Sequence, residues 1–225
     1  MNQLLPIKWL AALSCALLLG GCATTRAKYD YSSFRESRPA SILVLPPLNS
    51  SPDVNATYSM LSQVTFPLAE SGYYVFPVSL VDETFKQNGM TSPTDIHQLP
   101  VNKLREIFGA DTALYINVRK YGTSYAVIMS ETRVTAEGKL VDLRTGKTLW
   151  AGSATAASSE GNNSGGGLVG MLITAAVTQI VETLSSQGHV IAGITSSRLL
   201  AAGRPNGLLY GPRSPLYLKE GVPTP

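Results

Sequence analysis

Cysteine is scarce in this chain, which has only two, Cys15 and Cys22, in 225 residues. Cys15 lies inside an apolar N-terminal stretch, and Cys22 closes the run Leu19-Gly20-Gly21-Cys22. We expect Cys15 to be removed with that stretch and the Cys22 thiol to be modified, so that no thiol pair remains. A disulfide framework is thereby excluded, and the folded domain must be stabilised by packing.

Histidine is equally scarce, and the motifs of common enzyme chemistry are missing. His97 falls in a predicted loop and His189 at a predicted helix start, with no free thiol beside either, which excludes the usual zinc sites. No Gly-x-Ser-x-Gly segment occurs, so a serine hydrolase has no support. Several carboxylates are expected in solvated turns and on helix faces: Asp82, Glu83, Asp142 and Glu182. The sequence predicts no catalytic residue, no metal site and no cofactor.

An excess of charge of one sign is also lacking, because 18 basic and 15 acidic residues give a net charge of +3. A nucleic-acid-binding protein would need a clustered basic face. The basic residues of the central region are instead scattered and partly interleaved with acids: Arg119, Lys120, Arg133, Lys139, Arg144 and Lys147. We interpret them as a solvated sheet face and predict no nucleic-acid partner.

The N-terminal apolar run, Trp9 to Leu19, is well short of the roughly 20 residues that a membrane span requires. It follows Lys8 and precedes small residues, which is the three-part pattern of a secretory signal. Its last four residues resemble a bacterial lipobox. This resemblance predicts a signal peptide over residues 1–21 and lipidation of Cys22 by an S-diacylglycerol and an N-acyl group, since two or more acyl chains anchor stably. An ordinary signal peptide that ends at an incidental cysteine is the alternative.

The residue after Cys22 is Ala23 rather than the aspartate that tends to hold such lipoproteins at the inner membrane. The lipoprotein resemblance therefore implies a lipid anchor in the outer membrane, with the domain facing the periplasm. Residues 22–40 are polar and without sustained periodicity, which predicts a flexible lipidated tether. Tyr29, Tyr31 and Phe34 could instead dock on the domain.

The order of predicted elements favours a single layered α/β domain over residues 41–202. The unbroken apolar run Ser41–Leu45 predicts a strand covered on both faces. Further along the chain we predict a helix over 55–70 that contains Pro67, followed by a strand over 73–76. Two helices, over 79–88 and 100–108, are predicted next, with a polar loop over 88–98 between them, and a strand begins at residue 112.

Three later segments are predicted to form an antiparallel meander. Gly122 is expected to turn the chain between strands at 112–121 and 125–135, and the alternation over 132–143 slips near Gly138, which indicates a bulge. The segment Arg144 to Lys147 predicts a hairpin turn into a strand over 148–155. In that strand Leu149 and Ala151 are expected on the face opposite Trp150. The result is a mixed parallel and antiparallel sheet flanked by helices.

The last third of the chain begins with a Gly-, Ser- and Asn-rich loop over 152–167. Gly165, Gly167 and Gly170 match a dinucleotide-binding fingerprint, but a polar loop precedes them where a strand is needed, so we favour a flexible loop. The apolar segment 168–186 predicts a buried or subunit-interface helix rather than a membrane helix, because it contains Glu182. This apolar surface predicts a homo-oligomer. A helix over 189–202 and an irregular C-terminal arm over 203–225 follow.

Four segments together resemble a family: the lipobox, SILVLPPLNSS, GADTALYINV, and VTAEGKLVDLRTGKTLWAGSATA. On them the chain is identified as a member of a group of outer-membrane lipoproteins of unknown function from neisserial and related proteobacteria. The layout is similar, more distantly, to CsgG, to the TolB N-terminal domain and to the lipoprotein activators of penicillin-binding proteins. The resemblance implies a periplasmic α/β domain that is used for protein contacts, with no catalytic role for the DLRTGK turn.

Two functions follow from these observations as expectations. The first is a non-enzymatic accessory component of a secretion, transport or envelope-assembly system, whose partners are the outer-membrane lipid, reached through Cys22, and other envelope lipoproteins or secretion components. The second is a regulator that docks on a cell-wall synthase. CsgG-like channels insert long membrane-spanning hairpins, whereas the matching positions here hold short connections, so we do not expect this chain to form a pore alone.

Overall fold

The computed structural model describes residues 29–125, 130–161 and 184–219. These residues form a mixed six-stranded sheet with helices on both faces, which confirms the predicted α/β class. The strands are β1 (Ser41–Val44), β2 (Leu48–Asn49), β3 (Tyr74–Val75), β4 (Thr112–Tyr125), β5 (Ser130–Asp142) and β6 (Thr148–Ala157). Their order is β3-β1-β4-β5-β6, and β2 pairs with β4. The pairs made by β1 and β2 are parallel, whereas β4, β5 and β6 form the predicted antiparallel meander.

The helices are α1 (Ser32–Ser37), α2 (Ala56–Gln63), α3 (Thr65–Glu70), α4 (Val78–Gln87), α5 (Pro93–His97), α6 (Val101–Phe108) and α7 (Leu184–Leu200). The single helix predicted over 55–70 is divided at Val64. Pro67 lacks an N–H and is tolerated only in a first turn, so a new helix begins just before it. The short helix α5 lies where a polar loop was predicted, and it begins with Pro93.

Two cores lie on opposite faces of the sheet, and β1 separates them. Ile42 and Val44 point into the core beneath α1, α2, α3 and α7, while Leu43 and Leu45 point into the core beneath α4, α5 and α6. All four side chains are fully buried, which confirms the strand covered on both faces. Among the described residues, helices α4, α5 and α6 do not extend over β5 and β6, and this half of the sheet has an open polar face.

The meander departs from the prediction at Gly122. Gly122 does not turn the chain: it pairs with Arg133 inside a β4–β5 ladder that continues to Tyr125 and Ser130. Its φ of +122° suits glycine within this twisted ribbon. The turn predicted over residues 144–147 is present between β5 and β6, with Gly146 at a φ of +72°.

The predicted bulge lies two residues after Gly138, where the register shifts between Leu140 and Val141. Leu149 has no partner residue on β5, and the extra residue displaces the alternation of β6 by one. As a result Leu149 and Trp150 are both buried and Ala151 is exposed, so the predicted opposition of Leu149 and Trp150 was wrong. The indole of Trp150 lies across Gly152, where a Cβ would sit 2.4 Å from the ring.

Residues 152–157 belong to β6 rather than to the predicted loop, and a 3₁₀ turn (Ser158–Gly161) follows them. The helix predicted over 189–202 begins at Leu184 and ends at Leu200, with Gly203 beyond it at a φ of +80°. The predicted apolar helix over 168–186 falls largely outside the described residues. Within the described ranges, no helix combines the length and apolarity needed to cross a bilayer.

The tether predicted over 22–40 lies on the domain from Tyr29 onward, which is the docked alternative. Phe34 of α1 is 3 % exposed and lies in the core beneath α1, α2, α3 and α7, here called the first core. The hydroxyl of Tyr31 donates to the carbonyl of Gly207 at 2.5 Å, and the Tyr29 N–H donates to Asn206 Oδ1 at 3.2 Å. The irregular C-terminal arm therefore binds the N-terminal segment through these hydrogen bonds. Only residues 22–28 of the predicted tether lie outside the described part.

Candidate functional site

The residues weighed as sites in the sequence do not come together. Cys22, the three glycines at 165, 167 and 170, and Glu182 fall outside the described residues, so the lipidation of Cys22 stays a prediction. His97 belongs to α5 on one face of the sheet and His189 to α7 on the other. Within the ranges that the structure describes, no group of three or more His, Cys, Asp or Glu side chains could hold a metal ion.

Asp142, expected in a solvated turn, has a side chain only 2 % exposed. Its Oδ2 accepts from Ser37 Oγ at 2.5 Å and from Arg144 Nη2 at 3.1 Å, and its Oδ1 accepts from the backbone N–H groups of Arg144 and Thr145. Burial alone would raise the pKa of Asp142, but these hydrogen bonds outweigh it and lower the pKa to about 2. The carboxylate thus fixes the β5–β6 turn and ties α1 to it, which is a structural role.

A serine and a histidine that sequence reasoning did not connect meet between α2 and α7. Ser59 Oγ lies 3.0 Å from His189 Nδ1 and accepts from the hydroxyl of Tyr121 at 2.8 Å. His189 Nε2 lies 2.6 Å from Gln63 Nε2, which can only donate, so Nε2 accepts and Nδ1 carries the proton. With the Gln63 amide in this orientation, His189 donates to Ser59, so the pair is not arranged for the histidine to accept the serine proton.

The uncovered half of the sheet forms an open groove of about 640 Å³, here called the sheet-face groove. Its floor is made by outward-facing side chains of β4, β5 and β6, and α5 forms one wall. The residues used below are His97, Tyr115, Asn117, Glu137, Lys139 and Ser153.

An aromatic and cationic cluster occupies one end of this groove. His97 Nε2–H donates to the Pro46 carbonyl at 2.9 Å, and the imidazole meets the Tyr115 ring edge to face at 5.2 Å between centroids. Lys139 Nζ lies 5.2 Å from the centre of the same ring. Burial lowers the pKa of His97, the hydrogen bond to Pro46 partly offsets this effect, and the nearby Lys139 lowers the pKa further. Burial also raises the pKa of Tyr115.

This cluster could not be predicted from the sequence, for two reasons. Tyr115 and Lys139 lie opposite each other in the β4–β5 register, which depends on a long-range pairing. His97 reaches them from α5, the helix that was missed. The outward alternation of Tyr115, Asn117 and the paired Arg119–Glu137 side chains is the one local signal that could have indicated an exposed face.

Comparison with protein families gives one match that covers most of the chain. A family described as "Putative lipoprotein GNA1162-like" matches residues 29–213, which begins at the first described residue and ends in the arm. A curated protein, "Putative lipoprotein NMB1124/NMB1162" of Neisseria meningitidis serogroup B, is 50 % identical over 202 residues, 89 % of this chain and 94 % of the relative.

Solved structures give two further likenesses. The crystal structure of lipoprotein GNA1162 from Neisseria meningitidis is 56 % identical, covers 64 % of this chain and all of its own, and superposes with a TM-score of 0.54. A PelC dodecamer from Paraburkholderia phytofirmans is 16 % identical over 71 % of this chain and 88 % of its own, with a TM-score of 0.42. The second likeness is too distant to bear on how this chain assembles.

Proposed function

This chain belongs to the GNA1162-like family of lipoproteins, and we propose that it is an outer-membrane lipoprotein that serves a secretion or envelope-assembly system as a non-enzymatic accessory component. The proposed anchor is Cys22, modified on its sulfur and on its new amine after residues 1–21 are removed. Ala23, in place of an aspartate, supports the outer membrane.

The observation that carries the proposed accessory role is the sheet-face groove. It is concave and open, and it presents an aromatic ring, a lysine and small polar side chains rather than a nucleophile beside a base. Aromatic rings with a polar rim are typical of protein contact surfaces. Two arrangements among the described residues look like catalytic groups: Ser59 with His189, and the buried Asp142. In both, the side chains form hydrogen bonds that connect neighbouring elements of the fold.

The groove fits an extended segment of a protein partner that carries an acidic side chain. Lys139 makes no ion pair among the described residues, whereas the neighbouring Glu137 is held by Arg119 Nε at 2.8 Å. An acidic group of the partner would therefore meet Lys139 over the Tyr115 ring.

The test is a crosslinking pull-down from membranes in mild detergent, with Cys22 intact. We expect a reproducible envelope partner that is lost in the double variant Tyr115→Ala, Lys139→Glu and retained in Lys103→Glu, which changes an exposed lysine of α6. Cys22→Ser should weaken the capture by releasing the protein from the membrane. If native protein captures no envelope partner in repeated experiments, the proposed role is wrong.

The synthase-regulator alternative has less support because the segment between Cys22 and Tyr29 is short. Six residues lie between them, and a chain of this length reaches roughly 25 Å when fully extended. Docking on a synthase across the cell wall calls for a longer linker. Synthase activity that rises on addition of the mature protein would restore this alternative.

A further inference from the structure

Charge is divided unequally between the two chain ends and the rest of the protein. The segments 29–40 and 201–219, here called the basal face, carry five basic and two acidic residues: Arg35, Arg38, Arg204, Arg213 and Lys219, with Asp30 and Glu36. Residues 41–200 carry ten basic and twelve acidic residues. A chain that is nearly neutral as a whole therefore has a positive end.

The two segments form one continuous surface although they are far apart in sequence. Tyr29 and Tyr31 bond to Asn206 and Gly207, and the side chains of Phe34, Arg35 and Arg38 line a small cleft with Tyr217 and Leu218. This surface covers the end of the sheet where β1 and β4 begin and β5 ends.

The basic side chains of the basal face are exposed and are not used for ion pairs. Among the described residues, the seven ion pairs use Lys86, Lys103, Arg119, Arg133, Arg144, Lys147 and Arg198, all of them in other parts of the protein. Of the two acids on the basal face, Glu36 faces Lys147 and Asp30 bonds to Ser32. The five cations are therefore available to an external anionic partner.

Apolar and aromatic groups accompany these cations. Leu218 is 58 % exposed, Tyr210 and Tyr217 are partly exposed, and Arg213 lies 5.2 Å from the ring centre of Tyr74, itself 40 % exposed. Basic side chains mixed with partly exposed tyrosines and a leucine are typical of surfaces that meet lipid headgroups.

The position of Cys22 indicates which anionic partner lies there. Six residues, Ala-Thr-Thr-Arg-Ala-Lys, connect Cys22 to Tyr29 on this face. If Cys22 carries lipid, as the proposed function holds, Tyr29 lies within roughly 25 Å of the acyl chains.

We propose that the basal face lies on the bilayer and binds the headgroups of anionic phospholipids. In this orientation the strands stand away from the membrane. The carboxylate of Asp53, the residue before Val54, lies 4.0 Å from where a Cβ on Gly122 would sit. Gly122 is ten residues along β4 from Thr112, so Val54 lies roughly 33 Å along the strand direction from the basal face. The β4–β5 ribbon and the far end of the sheet-face groove point into the periplasm.

The first test measures orientation on the lipidated mature protein, reconstituted into vesicles of phosphatidylcholine with phosphatidylglycerol. Since Cys22 is acylated, a cysteine introduced as Leu218→Cys or Val54→Cys gives a single free thiol for a fluorophore. A paramagnetic headgroup lipid should quench the Leu218→Cys label strongly and the Val54→Cys label weakly. Equal quenching, or stronger quenching at position 54, overturns the proposal, including the case in which a protein partner rather than lipid covers this face.

The second test separates the basal face from the anchor. The mature chain carrying Cys22→Ser is mixed with phosphatidylglycerol-containing or pure phosphatidylcholine vesicles and sedimented. Binding is expected only to the anionic vesicles, and it should be lost near 1 M salt, where the Debye length is about 3 Å.

The matched variants for this test are two double charge reversals. Arg213→Glu with Lys219→Glu should abolish vesicle binding, and Arg105→Glu with Lys120→Glu, which changes two exposed cations elsewhere, should retain it. The proposal is overturned if vesicle binding does not depend on salt concentration, or if the two double variants lose binding to the same extent. An unmodified Cys22 in native protein would remove the proposed anchor but leave this result standing.

Discussion

At the scale of single residues, Asp142 shows how one buried charge organises its surroundings. Four donors surround it, from Ser37, the Arg144 side chain, and two backbone N–H groups. Such charge-assisted bonds offset the free energy of taking a carboxylate out of water. The β5–β6 turn and α1 are held together through this one side chain.

We expect Asp142→Asn to lower the free energy of unfolding at pH 7 by about 2–3 kcal/mol, because the neutral amide loses the bonds to Ser37 and Arg144. The pKa of Asp142 is about 2, below the unfolded value of about 3.9. Its stabilisation is therefore complete above pH 4 and is lost as the pH falls toward 2. Urea unfolding at pH 7 and pH 2.5, followed by Trp150 fluorescence, should show the difference between variant and wild type shrink at the lower pH.

The matched control is Glu106→Gln, which removes a carboxylate that is 66 % exposed and, among the described residues, forms an ion pair with Lys103 alone. Its effect should stay within about 0.5 kcal/mol at either pH. A difference between Asp142→Asn and wild type that does not change with pH would contradict the assigned role of the charge.

The sequence could not predict this burial. An aspartate two residues before Arg-Thr-Gly is typical of an exposed turn, and the turn was predicted correctly. What buries Asp142 is α1, which lies about a hundred residues earlier and was expected to be part of a tether. Leu149 is a similar case: alternation predicts its face only if the strand has no bulge, and the register shift is visible only in the pairing of β5 with β6.

At the scale of elements, α1 decides where the domain begins. Its Phe34 contributes to the core shared by α2, α3 and α7, and its C-terminal Ser37 meets Asp142. A six-residue helix has little stability of its own, so its order comes from these contacts.

Phe34→Ala should lower the free energy of unfolding by about 3 kcal/mol, the range for a buried phenylalanine. The control is Phe66→Ala on α3, the same substitution at a side chain that is 71 % exposed, where we expect at most about 0.5 kcal/mol. Chemical unfolding of both variants checks this. A Phe34→Ala protein as stable as Phe66→Ala would mean that residues 29–40 are not part of the folded body.

Elements were predictable where one local pattern dominates. The continuous apolar run of β1, the hairpin turn at 144–147 and the Gly109 end of α6 all follow from nearby residues. Gly122 misled the prediction because glycine favours both turns and twisted ribbons, and only the pairing with Arg133 distinguishes them. The sheet-face groove could not be predicted, since its three main side chains come from three separate elements.

At the scale of the whole molecule, the arm completes the first core. Leu208 and Leu209 are buried, and backbone carbonyls of the arm accept from the Trp150 indole at 3.0 Å and from the Tyr73 hydroxyl at 2.6 Å. The C-terminal arm thus covers a region that the earlier elements leave open.

Truncation after Ala202 should lower the free energy of unfolding by on the order of 5 kcal/mol, because two buried leucines and several hydrogen-bond partners are removed together. Residues 29–38 should then exchange amide hydrogens rapidly, since Asn206 and Gly207 no longer hold Tyr29 and Tyr31. Truncation after Lys219 is the control and should change neither quantity. Slow exchange over 29–38 in the shorter protein would show that the arm does not hold that segment.

The hydrogen bonds of Tyr29 and Tyr31 to residues 206–207 also determine how the protein would respond to tension. A pull applied from Cys22 enters the fold at Tyr29, whose hydroxyl accepts from the Ala151 N–H at the edge of β6. The load is divided at once between the sheet and the arm, so neither is peeled away by itself. If Cys22 is lipidated as proposed, a force on the domain would have to break both attachments before it could unfold the domain from its N-terminal end.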